Sequence, residues 1–252
     1  MRTLAVIPAR YASTRFPGKP LALLGGRPIL QWVWERVASI HSVDAMIATD
    51  DARIATAARQ QFGAHVMLTS PQCQSGTDRC GEVLQKMQAE GRNYDLVVNV
   101  QGDEPFVEPT QLQTLIGAFD DPTVQIATLK TLIHSTEELL SPNNVKVVCS
   151  DTGNALYFSR QPLPYRRGVA EDQWITEGQY YKHVGIYAYR AQTLEQICQL
   201  PVGTLENCEK LEQLRWLAAG YAIRVLPTDH ANIGIDTPQD LAEAEKTLNR
   251  TK

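Results

Sequence analysis

Cysteine is sparse and unpatterned in this chain. The five residues, Cys73, Cys80, Cys149, Cys198 and Cys208, are odd in number and contain no CxxC pair. A disulfide framework and a zinc ribbon are therefore not expected, and a reduced compartment is. Long apolar runs are also missing. Leu4–Ile7 stops at Pro8, short of a signal-peptide core and far short of a membrane span, and no later segment approaches one. An excess of positive charge is lacking: the formal net charge is −4, so a nucleic-acid surface is not expected. Internal repeats, low-complexity stretches and linkers are absent as well. What remains is ordinary globular composition, 43% hydrophobic and 21% charged over 252 residues. That is enough chain for one large α/β domain spanning 1–252, and the expected location is the cytoplasm.

The hydrophobic pattern alternates strands and helices. Leu4–Pro8, Ala45–Thr49, His65–Leu68 and Tyr94–Val100 are short apolar runs bounded by turn residues, which reads as buried strands. Between them lie helical periodicities. Ile29, Val33, Val37 and Ile40 share one face within 28–40, and helices are expected near 52–62 and 78–90. Leu112, Leu115, Ile116 and Phe119 give a further face at i, i+3, i+4, i+7. This alternation predicts βαβ units and a mostly parallel sheet flanked by helices. The loops at 9–20, 50–51 and 101–108 should then share the carboxyl rim where ligands of such sheets bind. Ile126–Leu132, Val145–Cys149, Ala155–Ser159 and Tyr181–Tyr189 read as strands with few helices between them. The region 125–190 is thus expected to be an inserted mixed or antiparallel lobe, with a polar excursion at 160–180. Helices are expected again at 204–219, ended by Gly220, and at 237–249 with Thr237 as N-cap and Pro238 in the first turn.

One local absence is informative. Residues 1–34 carry Arg2, Arg10, Arg15, Lys19 and Arg27 but no Asp or Glu, in a chain that is acidic overall. In Pro8-Ala-Arg-Tyr-Ala-Ser-Thr-Arg-Phe-Pro-Gly-Lys-Pro20, small residues and Gly18 let backbone N–H groups approach an anion, and the cations supply charge, which suits a polyphosphate. It is not a Walker loop, because Pro20 follows Gly-Lys. The plain alternative is a solvated basic loop. Asp103 follows an apolar strand through Gly102, a placement suited to Mg²⁺ held between protein and phosphates, or to a simple turn. Asp236 in Gly-Ile-Asp-Thr-Pro238 is either its partner carboxylate or a turn residue. Asp51 reads better as a helix cap than as a ligand. Gln74-Ser-Gly-Thr-Asp-Arg79 at a helix start suits a base, ribose or phosphate, or ordinary capping.

Taken in order, these segments resemble the 3-deoxy-manno-octulosonate (Kdo) cytidylyltransferases. The matching stretches are Ile7–Leu21, Ala48–Asp51, Gln74–Arg79, Asn99–Pro105, Asn144–Val148, Ala155–Arg160, His183–Tyr187, Leu211–Arg215 and Gly234–Pro238. The first loop alone implies an acid-sugar cytidylyltransferase; the later segments narrow the resemblance to Kdo. It implies a nucleotidyltransferase-type, Rossmann-like α/β fold with an inserted dimerisation and sugar-binding lobe. Arg10, Lys19 and Asp103 would be catalytic. Ala9, Arg10, Arg15, Lys19, Gln74, Ser75, Gly76 and Arg79 would hold CTP, and Asp103 and Asp236 would bind Mg²⁺. Gln101, Arg160, His183, Glu212 and Gln213 would face the sugar, whose carboxylate accounts for an arginine and a histidine on the lobe. The family works as a homodimer on the route to lipopolysaccharide. The alternatives are a cytidylyltransferase for 8-amino-Kdo or sialic acid, or a non-catalytic nucleotide-binding regulator. Two departures stand out: Cys73 sits where the family usually has His, and Pro227–Ile233 differs from the usual form.

Overall fold

A computed structural model of the chain describes residues 1–230 and 232–250. Its contacts divide it into two compact units, one of residues 1–112, 190–198 and 232–252 and one of residues 113–189 and 199–231. Among the described residues no helix is long and apolar enough to cross a membrane.

The first unit is built on four parallel strands. Thr3–Pro8 is the innermost, paired on one side with Leu96–Asn99 and on the other with Val43–Thr49, which in turn pairs with Val66–Leu68. Strands covered on both faces must be apolar throughout. Leu4, Ala5, Val6 and Ile7 have no exposed surface, nor do Leu96, Val97 and Val98. Helices Ile29–Ala38, Ala52–Phe62 and Gly76–Ala89 make the crossovers. The first buries Ile29, Leu30, Val33, Trp34 and Val37, the stripe foreseen from spacing. Asp51 caps the second: its carboxylate accepts from the Arg53 amide at 2.9 Å, and Gly63 at φ 64° ends the helix in the left-handed region. Ser75 and Asp78 form a reciprocal capping box at the start of the third. Thr237 and Asp240 do the same for Pro238–Arg250. The rim loops are tied to the sheet by ladder bonds that run past the strands, Ala9 N–H to Ala48 O at 2.9 Å and Val100 N–H to Val6 O at 3.0 Å.

The second unit carries a mixed sheet. Ile126–Leu132 pairs in parallel with Ile223–Pro227 and antiparallel with Tyr181–Arg190. Tyr181–Arg190 also meets Lys146–Cys149 antiparallel, and Lys146–Cys149 pairs with Ala155–Ser159. The ladder between Ile126–Leu132 and Tyr181–Arg190 bulges between Val184 and Tyr187. The expected lobe of 125–190 lies almost wholly within this unit, which also takes in 199–231. Inside the polar excursion of 160–180, Trp174 and Tyr180 stack at 6.2 Å over a cluster with Ile133 and Leu139.

Several elements differ from the sequence reading. The single helix expected over 204–219 is two, Thr204–Glu209 and Gln213–Ala218, separated where Lys210 takes φ 54°. A non-glycine residue there costs about 1–3 kcal/mol, and the break leaves the Glu209 carbonyl free to accept from Arg160 Nε at 2.8 Å. The strand Ile223–Pro227 and the helix Ala191–Ile197 were not anticipated. The strand is short, and its alternation of buried Ile223 and Val225 with less buried Arg224 and Leu226 is the only signal it gives.

Candidate active site

In the first unit, the loops after Thr3–Pro8 and Leu96–Asn99 meet the segment before Pro238 around a cavity of about 370 Å³. Two glycines shape it. Gly18 sits at φ 74° and donates its N–H to Tyr11 O at 2.9 Å, closing the first loop on itself; a Cβ there would meet the Tyr11 ring at 3.1 Å. At Gly102 a Cβ would lie 2.7 Å from the Pro8 carbonyl oxygen, so only glycine lets the second loop pass so close to the first strand's end.

That folding brings Lys19 under the loop. Its side chain is only 10% exposed, and its ammonium contacts Asp103 Oδ2 at 2.5 Å and Asp236 Oδ1 at 2.9 Å. Arg15 holds the other oxygen of Asp236 at 2.9 Å. Burial works against the Lys19 charge, but the two carboxylates outweigh it and raise its pKa above the ordinary value. Asp236 shows the converse: burial opposes its charge, yet Lys19 and Arg15 hold its pKa below the usual range. The two carboxylates thus converge on one cation, as two acidic groups at one site must.

Glu104 lies next to this pair. Loss of hydration, then the charges of Asp103 and Asp236, push its carboxyl up to about 7, against a hydrogen bond from Asn232. Sequence spacing gives no reason to single it out, since the shift comes from neighbours brought in by folding.

The residues singled out around the cavity are placed as follows. Ala9, Arg10, Arg15, Lys19, Gly76, Arg79, Gln101, Asp103 and Asp236 all line it. Gln74 and Ser75 do not; Ser75 caps the helix and the Gln74 carbonyl accepts from Arg10 at 3.2 Å. Arg79 is 1% exposed and already engaged, by Asp50 at 2.9 Å and Thr69 at 2.6 Å. The Cys73 thiol points to Glu82 at 3.0 Å. Desolvation and that carboxylate push it up to about 12, so it is a protonated donor.

Arg160, His183, Glu212 and Gln213 all lie in the second unit. Arg160 donates to Glu209 O and, through Nη1, to Pro142 O at 2.9 Å. Its own carbonyl is held at 2.5 Å by the buried ammonium of Lys146, which also donates to Ser141 O at 2.9 Å and Asn144 O at 2.6 Å. His183 is wedged between Phe158 and Tyr187, with ring centroids 5.0 and 5.3 Å away. Desolvation drives its pKa down to about 3, so the ring is neutral. Glu212 pairs with Arg215 at 3.3 Å, and its charge helps raise the Tyr187 phenol. Gln213 is 5% exposed, and its Nε2 has no partner among the described residues. Of the segment Pro227–Ile233, Ala231 lies outside the described residues.

Residues 4–224 match the cytidylyltransferase family. The chain is 51% identical to the 3-deoxy-manno-octulosonate cytidylyltransferase of Phocaeicola vulgatus, over 99% of this chain and 98% of that one. It is also 51% identical to the enzyme of the same name from Bacteroides thetaiotaomicron, over 98% of each chain. Among solved structures it resembles CMP:2-keto-3-deoxy-manno-octonic acid synthetase complexed with CTP, at 40% identity and TM-score 0.90 over 100% of both chains. A 4-diphosphocytidyl-2C-methyl-D-erythritol synthase from Anaerococcus prevotii shares the fold at TM-score 0.59 and 15% identity, over 98% of each chain.

Proposed function

The chain belongs to the cytidylyltransferase family, and within it to the 3-deoxy-manno-octulosonate cytidylyltransferases; on that premise we propose that it moves the CMP group of CTP onto Kdo and releases pyrophosphate. The observation that carries this reading is the Lys19 ammonium held between Asp103 and Asp236, in a cavity flanked by Arg10 and Arg15.

In the proposed reaction the anomeric hydroxyl of Kdo attacks the α-phosphorus of CTP in line. One P–O bond forms, the bond to pyrophosphate breaks, and the hydroxyl proton leaves. Such a transfer needs positioning and charge neutralisation more than covalent help. Arg10, Arg15 and Lys19 bind the triphosphate and offset its charge, and the loop amides beside Ala9 and Gly76 approach it closely. Asp103 and Asp236 offer hard oxygen donors at a point where a cation is already held, which fits Mg²⁺ with places left for phosphate oxygens and water. When bound, Mg²⁺ supplies further neutralisation of the phosphates. Gln74, Ser75 and Arg79 belong to the nucleotide side, and Gln101, Arg160, His183, Glu212 and Gln213 to the sugar side. The reading extends to a cytoplasmic homodimer whose product feeds lipopolysaccharide assembly.

Pyrophosphate release from purified protein tests it. With Mg²⁺, CTP and Kdo should give turnover far above ATP or GTP with Kdo, and above CTP with 8-amino-Kdo or sialic acid. Equal rates with a purine nucleotide, or a faster rate with another acid sugar, would remove the reading. Light scattering tests the dimer.

A further inference from the structure

The bulge in the second unit's sheet sets the chemistry of His183. Between Val184 and Tyr187 the ladder slips, so Thr128 pairs with Tyr187 while Leu129 pairs with Val184. A bulge leaves ladder groups without their usual partners. Here the carbonyls of Val184 and Ile186 both turn onto the Thr128 hydroxyl, 3.2 and 2.9 Å from Oγ1. Thr128 has no exposed surface, so water does not compete. The same oxygen lies 2.9 Å from His183 Nε2, and the Tyr187 phenol also neighbours it.

A threonine hydroxyl has one proton and two lone pairs. Carbonyl oxygens only accept, so the proton must go to one of them; otherwise two lone-pair contacts would be buried uncompensated. Oγ1 can then meet Nε2 only as an acceptor, which requires the proton on Nε2. A neutral imidazole with Nε2–H has a bare Nδ1, and Nδ1 has no hydrogen-bond partner among the described residues.

We propose that Thr128, oriented by the bulge carbonyls, locks His183 as its Nε2–H tautomer, so that the ring offers Nδ1 as an acceptor to a hydroxyl of the acid sugar and offers nothing to its carboxylate. This rests on reading His183 as a sugar residue, and it changes the expected division of labour. Histidine and arginine do not share the carboxylate: His183 reads a neutral hydroxyl, and Thr128 is its positioning residue.

Long-range ¹H–¹⁵N correlation spectra of the full-length, ligand-free protein report imidazole tautomers directly, with His183→Gln identifying the signal. The expected pattern is a protonated Nε2 and a bare Nδ1, kept in Thr128→Ser and lost in Thr128→Val. With CTP saturating, Thr128→Val should raise the KM for Kdo about 10-fold, the worth of one good hydrogen bond, with kcat and the KM for CTP nearly unchanged; Thr128→Ser should restore it. A wild-type His183 carrying its proton on Nδ1 overturns the tautomer assignment without touching the proposed function. An Nε2–H ring with an unchanged Kdo KM in Thr128→Val overturns its use on the sugar. If no acid sugar turns over while the Nε2–H pattern is present, the proposed function falls and the sugar hydroxyl falls with it as the partner.

Discussion

Two lysines are buried among the described residues, and they answer their charges in opposite ways. Lys19 meets two carboxylates, Asp103 and Asp236, and its pKa rises. Lys146 donates to three backbone carbonyls and its pKa falls, through burial first and the nearby Arg160 second. The partners of Lys19 are side chains that, on the proposed function, a metal ion and a triphosphate would take over. Those of Lys146 are the chain itself and cannot be exchanged. The first arrangement suits a site that is remade each time a charged ligand arrives. The second suits a joint that holds the 141–144 and 159–161 segments in one relation.

The contrast predicts a division between activity and stability. Asp103→Asn keeps shape and removes charge, so turnover should vanish while Tm stays near wild type. Lys19→Ala should lower kcat/KM by roughly 10²-fold or more, as for loss of one preorganised donor at the reacting centre. EDTA should stop the wild-type reaction and added Mg²⁺ restore it. A fully active Lys19→Ala protein would make the loop a solvated basic face and dissolve the contrast.

Lys146→Met should do the reverse. It removes a donor from three part-buried carbonyls, of which Ser141 O keeps the Asn144 N–H, for a stability loss of about 1–3 kcal/mol in chemical denaturation. The KM for CTP should stay unchanged. An unaltered unfolding midpoint would show that the ammonium is not a joint.

Glu104 sharpens the comparison from the charged side. Its folded pKa, about 7, stands above the ordinary carboxylate value of 4.5. The folded state therefore holds the proton where the unfolded state has lost it, and stability falls as pH rises from about 4.5 to 7. In metal-free protein with EDTA the decline should be on the order of 3 kcal/mol. Glu104→Gln should flatten it, as urea titrations at several pH values would show. A slope that persists in the variant would assign it to other groups. The smallest effect is expected at Gly18, where alanine must take φ 74° against the Tyr11 ring. About 1 kcal/mol of stability should go, with a larger fractional loss of activity because Lys19 is the next residue.

What the sequence revealed follows the same line. Arg15 and Lys19 stand out because residues 1–34 carry five cations and no Asp or Glu, and Asp103 because it follows an apolar strand through Gly102; Asp236 reads equally well as a turn residue until folding brings it to Lys19. The parallel strands could be read because burial on both faces leaves an unbroken apolar run, as in Leu96–Val98. Lys146 and Thr128 could not, because their partners are backbone carbonyls and a bulge, which no residue type announces. Lys210 hid the helix break for a related reason. Lysine is a good helix former, and the left-handed turn goes with the Arg160 contact to the Glu209 carbonyl, which no local pattern announces.

The ion contacts of Lys19 reach 84 residues forward to Asp103 and 217 to Asp236. A ribosome makes the chain from its N-terminus, and domains begin to fold as they emerge. Lys19 and Asp103 are therefore both made well before Asp236, and until then the lysine faces at most one carboxylate. The second carboxylate of the pair comes 217 − 84 = 133 residues after the first. A nascent or truncated protein ending before Asp236 would have the first loop and the strands beneath it, but one carboxylate of the two. The pair of carboxylates around Lys19 is thus closed only once residue 236 has been made.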